Sequence, residues 1–246
     1  MSKPTEHAPS KAHHVFPAPE WTLLSASLAA SLAHEIRNPL LAIKGAAQLL
    51  EQAVSEDDKE LARLIIAEAG RIEQLVATMD PLTPNPSQVS EALNIHEVTE
   101  YVRLAARSFA GGVTITTQYD PSLPEVTGVR EALIQALINL VKNAVEALAA
   151  VPNPTITIAT RYLVGERMQR HGGGKLNIQV SITDNGPGVA EDVVGRLFTP
   201  FNSTKEHGKG LGLAIVAKII EEHGGLIAYD APDAGGARFT LYLPVA

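Results

Sequence analysis

The sequence predicts an α+β protein in two parts: a helical hairpin that a second copy completes to a four-helix bundle, and after it an α/β sandwich. Three features carry the prediction. Apolar residues recur at steps of three or four from Leu24 to Leu50, and at heptad-like spacing from Leu61 to Met79, as in amphipathic helices. The Pro-rich "DPLTPNPSQ" then stops the second helix and marks a boundary. Beyond it, helical stripes are interspersed with short β-branched runs, which reads as helices on one face of a mostly antiparallel sheet.

Along the chain, the opening "MSKPTEHAPSKAHHVFPAPE" is polar and Pro-rich and lacks the apolar core of a signal peptide. It reads as a disordered tail over residues 1–19, with His13 and His14 solvated in it. The hairpin occupies residues 20–82. Its first helix carries the stripe Leu28, Leu32, Ile36, Leu40, Ile43, Ala47 and Leu50; Ser55 and Asp58 make a variant capping box that opens the second, where Leu61, Ile65, Ile72, Leu75 and Met79 recur. A lone hairpin with one apolar stripe has too small a core, so a homodimer is expected, against packing of the hairpin on its own C-terminal domain. A linker follows over residues 83–90. Residues 91–246 then give helices at about 95–108, 131–149 and 211–223, and strands at "VTITTQY", "TITIATRYL", "LNIQVSITD", "LIAYD" and "RFTLYLP".

Composition narrows the function. A net charge of −7 without a Lys/Arg block argues against direct nucleic-acid binding. The absence of cysteine excludes disulfides and thiolate metal sites and fits a cytoplasmic location. The apolar run Trp21 to Ala33 is too short to span a bilayer and ends at His34-Glu35, so no membrane segment is expected.

The chemistry lies off the stripes. In "SLAHEIRNPLLAIKGAAQLL", His34 is about 200° around the helix from Leu32 and faces solvent, with Asn38 one turn further on the same face. A zinc-binding HExxH would need an imidazole where Asn38 stands, and Pro39 follows, so zinc is disfavoured. In "EALIQALINLVKNAVEALA", the stripe Leu133, Leu137, Leu140, Ala144 and Leu148 leaves Asn139 and Asn143 together on another face. By themselves they read as helix surface. Further on, "DNGPGV" ends a strand: Asp184 can accept a hydrogen bond from an amino group, and Gly186 and Gly188 let backbone approach a flat ring. "GKGLGLAIV" then sets Gly208, Gly210 and Gly212, with Lys209 and Leu211 between them, at the start of a helix whose free N–H groups suit phosphate. It follows the polar loop "FNSTKEH" rather than a strand, which disfavours a dinucleotide fold, and no P-loop string is present.

Taken in that order, the asparagines, DNGPG, the aromatic "LFTPF", a polar segment and GxGLGL resemble the ATP-binding domain shared by sensor histidine kinases and the gyrase/Hsp90 ATPases. HExxNP upstream resembles the phosphoacceptor box of the histidine kinases. The resemblance covers roughly residues 25 to 246, and "KGAAQLL", "YDPSLPE" and "RYLVGERMQRHGGGK" look most like the nitrogen-regulation (NtrB-type) sensor kinases.

That resemblance implies His34 as phosphoacceptor, Glu35 as its orienting or proton-accepting partner, and Asn38 in dephosphorylation of a partner. It implies Asn143 as ligand of Mg²⁺, Asn139 supporting the metal or the phosphates, and Asp184 as reader of adenine. Gly208, Gly210, Leu211 and Gly212 would border a lid over ATP. Gyrase-like ATPases carry a catalytic Glu where this chain has Asn139, so plain ATP hydrolysis is poorly equipped. Many family members have Lys three residues after the metal asparagine; Glu146 stands there, leaving Lys142, Lys205 and Lys209 as phosphate candidates. The implied activity is autophosphorylation of His34 from Mg-ATP and transfer to an aspartate of a response-regulator receiver domain of the NtrC type. Two rivals are an adaptor with an inactive nucleotide fold and a gyrase-like ATPase.

Overall fold

A computed structural model describes residues 14–16, 36, 38–52, 56–77, 90–163, 168–169, 175–200, 202 and 210–246. His34, Glu35, Lys205, Gly208, Lys209, the Ser55 cap and the expected linker up to residue 89 lie outside them. The chain divides into two compact units, residues 20–86 and residues 1–19 with 87–246.

The first unit holds helix α1 (residues 38–52) and helix α2 (Glu56–Ala77). Among the described side chains the buried ones on α1 are Leu40 and Ala47, one heptad apart, and on α2 Ala62 and Ala69, again one heptad apart. Leu40 packs on Ala69 with Ile72 against them, while Arg63 Nε donates to Glu51 Oε1 at 2.8 Å. These pairings run α1 and α2 antiparallel. The seam within one chain therefore uses small alanines of α2 rather than the larger Leu61 and Ile65 that the apolar periodicity highlights. Those two stay exposed, as do Leu64 on the same helix and Ile36, Ile43 and Leu50 at heptad spacing on the first.

The second unit is a sheet with helices on it. Its strands are β1 (His14–Phe16), β3 (Thr114–Gln118), β5 (Thr155–Tyr162), β6 (Met168–Gln169), β7 (Lys175–Asp184), β8 (Leu226–Asp230) and β9 (Arg238–Pro244). Their order is β1-β8-β9-β7-β5-β3, with β6 on β7; every pair is antiparallel except β3 with β5. The strand at His14–Phe16 departs from the expected tail: these three residues add an edge to β8, in register His14 with Tyr229 and Phe16 with Ile227. Strands β2 (Glu91–Leu93) and β4 (Val126–Gly128) form a separate pair.

The helices are α3 (Ile95–Ala106), α4 (Arg130–Ala147), the short α5 (Glu191–Val194) and α6 (Gly212–Glu222). Asn94 caps α3, its side chain accepting from the His96 N–H at 2.9 Å. The α4 stripe is buried: Leu133, Leu137, Leu140 and Leu148 are all at most 2% exposed, which turns Asn139 and Asn143 out of the core. His223, just past α6, accepts from the Val129 N–H through Nε2 at 2.9 Å, and its Nδ1 lies 2.7 Å from the Ile219 carbonyl. Through these two contacts the ring ties the end of α6 to the start of α4. Among the described residues no helix is long and apolar enough to cross a membrane.

Strand alternation fixes what faces the helices. In β7, Ile178, Val180 and Ile182 are buried on one side, and Asp184 continues that side at the strand's end. A carboxylate is therefore delivered into an apolar layer.

Candidate functional site

Asp184 is only 6% exposed. Its Oδ1 accepts from the N–H of Gly186 at 2.9 Å and of Ala237 at 3.2 Å; Oδ2 has no hydrogen-bond partner among the described residues. Burial raises its pKa above the usual carboxylate value, and the two N–H donors pull it partly back. A buried carboxylate with one oxygen fixed and the other unpaired is an acceptor suited to an amino group, such as that of adenine.

Glycines close the surroundings to side chains. Gly236 has φ +91° and its backbone lies against the Asp184 carbonyl, where a Cβ would overlap it. A Cβ at Gly186 would come within 2.9 Å of Asp184 Oδ1 and 3.6 Å of the Ala147 carbonyl at the end of α4. Gly188 has φ +77° and faces the Gly236 carbonyl. Tyr229 Oη accepts from the Val189 N–H at 3.3 Å and braces the loop after Asp184. Asn185 holds the strand ends together, accepting from the Thr155 N–H at 2.8 Å and donating to the Asn153 carbonyl at 3.1 Å.

Gly186 touches the end of α4, and one turn back on that helix lies Asn143. Its amide would be 3.7 Å from a Cβ at Gly212, the first residue of α6. Gly210 has φ +64°, and Leu211 is 4% exposed, so the leucine anchors the entry to α6 while the glycines stay slim. Asn139 accepts from Gln135 Nε2 at 3.1 Å, and its own Nδ2 is buried without a partner among the described residues. Such an orphan costs about 1–3 kcal/mol, which a ligand oxygen would relieve.

Lys142 is exposed, with its ammonium 5.5 Å from the Phe109 ring centroid, so contact with phosphate would require it to leave that ring. Glu146 is exposed on α4. Phe198 of "LFTPF" is buried edge-on against Phe239 at 6.4 Å and supports the core. Among the described residues no cluster of three or more His, Cys, Asp or Glu could hold a metal. The single Asn143 amide instead fits Mg²⁺ held chiefly by substrate phosphates and water.

Gln135, Gly236, Ala237 and Tyr229 escape the motif reading. Only the Gly235-Gly236 pair carries a sequence signal, and that signal is of a turn.

A buried carboxylate with one unpaired oxygen, glycines around it and the Asn143 amide near the entry to α6 give an α/β sandwich with the features an adenine nucleotide requires. Residues 128–246 match the histidine kinase-, DNA gyrase B- and HSP90-like ATPases, and residues 25–82 match the His Kinase A (phospho-acceptor) domain. The sensory histidine kinase/phosphatase NtrB of Rhizobium leguminosarum bv. phaseoli is 47% identical over 89% of this chain and 58% of its own length. That of Azospirillum brasilense is 46% identical over 83% of this chain and 52% of its own length. The chain thus spans little more than half of these relatives. Among solved structures, full-length ShkA in complex with AMPPNP aligns over 90% of this chain and 47% of its own, with a TM-score of 0.63 and 24% identity. ThkA in complex with the response regulator TrrA aligns over 91% of this chain and 63% of its own, with a TM-score of 0.57 and 27% identity. The chain belongs to the sensor histidine kinases, with a phospho-acceptor domain followed by an ATP-binding domain, and it is similar to the NtrB group.

Proposed function

We propose that the chain is an ATP-dependent protein histidine kinase that phosphorylates its own His34 and passes the phosphoryl group to an aspartate of a response regulator. The observation that carries the reading is the Asp184 carboxylate, buried at the end of β7 with Oδ2 unpaired, in a chain whose other unit bears "HEIRNP". Asp184 selects adenine, Asn139 donates toward the phosphates, and Asn143 would hold Mg²⁺, which when bound would neutralise charge on the triphosphate. A ring nitrogen of neutral His34 attacks the γ-phosphorus; the bond from that phosphorus to the β,γ-bridging oxygen breaks, ADP leaves, and Glu35 orients the ring or takes its other N–H proton. With Asn139 where gyrase-like ATPases carry a carboxylate, the chain is poorly equipped to activate water for plain ATP hydrolysis.

Asn38 is exposed on α1, where its carboxamide positions water against a regulator's acyl phosphate and makes the protein a phosphatase as well. The exposed heptad faces of α1 and α2 favour a homodimer, because Ile36, Ile43, Leu50, Leu61, Leu64 and Ile65 are too apolar and too contiguous for a hairpin facing water. The substrate ATP favours a cytoplasmic setting, with which a chain free of cysteine is compatible.

The test is transfer. The chain is loaded from γ-labelled ATP, freed of nucleotide and mixed with the receiver domain of an NtrC-type regulator. Label leaving the chain and appearing on the receiver supports the reading; nucleotide binding with no label on either protein would favour an adaptor.

A further inference from the structure

The amide of Asn139 is used on one side only. Its Oδ1 is taken by Gln135 Nε2 at 3.1 Å, one turn earlier on α4, and its buried Nδ2 has no partner among the described residues. An asparagine can normally turn its amide over to suit its surroundings. In the structure Gln135 is the donor of the pair, and that bond leaves the N–H end of Asn139 for a ligand. If Gln135 donates, Asn139 offers N–H to the site, which suits a phosphate oxygen. If the partner could only accept, Asn139 would offer its carbonyl oxygen, which suits a cation and repels phosphate.

We propose that Gln135 is a positioning residue for the nucleotide site: by donating to Asn139 it presents the Asn139 amide as a hydrogen-bond donor to the triphosphate and withholds its oxygen from the metal. The proposal rests on the nucleotide reading above and deepens it, because it splits the two asparagines into a phosphate donor, Asn139, and a metal ligand, Asn143. Gln135 is exposed and lies off the buried stripe of α4, so it can be changed without opening the core.

The experiment uses side chains of fixed polarity. In Gln135→Lys the partner can only donate, in Gln135→Glu it can only accept, and in Gln135→Leu it does neither. Calorimetry measures ATP with Mg²⁺, ADP and adenosine against each variant of the 246-residue chain at 0.1 M and 0.5 M salt, the higher salt screening simple charge repulsion. ATP affinity is expected to stay within about threefold of the parent in Gln135→Lys, to fall a few-fold in Gln135→Leu, and to fall about tenfold or more in Gln135→Glu at both salt concentrations. Adenosine affinity and thermal melting should be unchanged in all three. The proposal is overturned if Gln135→Leu binds ATP like the parent while the Gln135→Glu loss disappears at 0.5 M salt. It is equally overturned if Gln135→Glu binds Mg-ATP more tightly, or if the variants melt lower with unchanged affinities. A parent that binds neither adenosine nor ATP would instead sink the nucleotide reading itself, and this assignment with it.

Discussion

Gly236 lies with its backbone against the carbonyl of Asp184, at a φ of +91°. The contact is closed by hydrogen bonds between the next residue and the same aspartate: the Asp184 N–H donates to the Ala237 carbonyl at 2.9 Å, and the Ala237 N–H donates to Asp184 Oδ1 at 3.2 Å. Any side chain at position 236 must displace the backbone of Asp184 and Asn185 and adopt a backbone conformation unfavourable for L-residues. Gly236→Ala is expected to cost at least about 1–3 kcal/mol of stability and to abolish measurable ATP binding. Thermal melting and calorimetry check both; a variant that melts and binds like the parent would show that the loop relaxes freely.

Asp184 is held in the fold against the cost of burying its carboxylate. Its pKa is raised by burial, so its favourable contribution to folding is complete at acid pH, below the usual carboxylate value, and is lost as pH rises through the folded-state value. At pH 7.5 the ionised group therefore costs stability. Asp184→Asn should melt at or above the parent at pH 7.5, with the gap closing toward pH 4, while ATP affinity falls about tenfold as a charged acceptor is lost. Lower melting with unchanged affinity would assign Asp184 to structure alone.

Asp120 behaves in the opposite sense. Bonds from the Ser122 hydroxyl, the Tyr162 N–H and the Ser122 N–H hold its pKa at about 2. The stability it contributes is present above its unfolded value near 3.8 and is lost as pH falls toward 2. The melting difference between the parent and Asp120→Asn should therefore be full at pH 5 and shrink steadily down to pH 2. A difference independent of pH would exclude the carboxylate as its source.

Ile43 and Leu61 are 51% and 61% exposed in the single chain. If these faces meet those of a second copy, Ile43→Glu places a charge in a dimer core and should yield monomers at micromolar concentration with α1 and α2 still helical. Sedimentation and circular dichroism check this. A parent that sediments as a monomer would contradict it.

The legibility of the sequence followed the range of the interactions. Helix α4 is plain in the sequence through its periodic apolar stripe, and strands β8 and β9 through short, largely apolar runs that are buried almost throughout. Strands β1, β2 and β4 are three residues each, too short for alternation to register, and exist through pairing with β8 or with each other. Large apolar residues mark α2 as amphipathic, but the seam within one chain runs through Ala62 and Ala69, because small residues allow close helix approach while the bulky ones face outward. At the site, Asp184, Asn143 and Gly212 were legible as motif residues. Gly236 was not, since its contact with Asp184 depends on the register of β7 and β9, and the Gln135–Asn139 bond depends on side-chain orientation that spacing alone does not fix.

The central claim is that the phosphoryl group of ATP ends on a nitrogen of His34. The most direct measurement incubates the parent, His34→Ala and Asn143→Ala with Mg²⁺ and γ-labelled ATP and then divides each protein between acid and base. The account predicts label on the parent alone, lost in acid and retained in base as a phosphoramidate is. Label that survives acid, or that persists in His34→Ala, would contradict it.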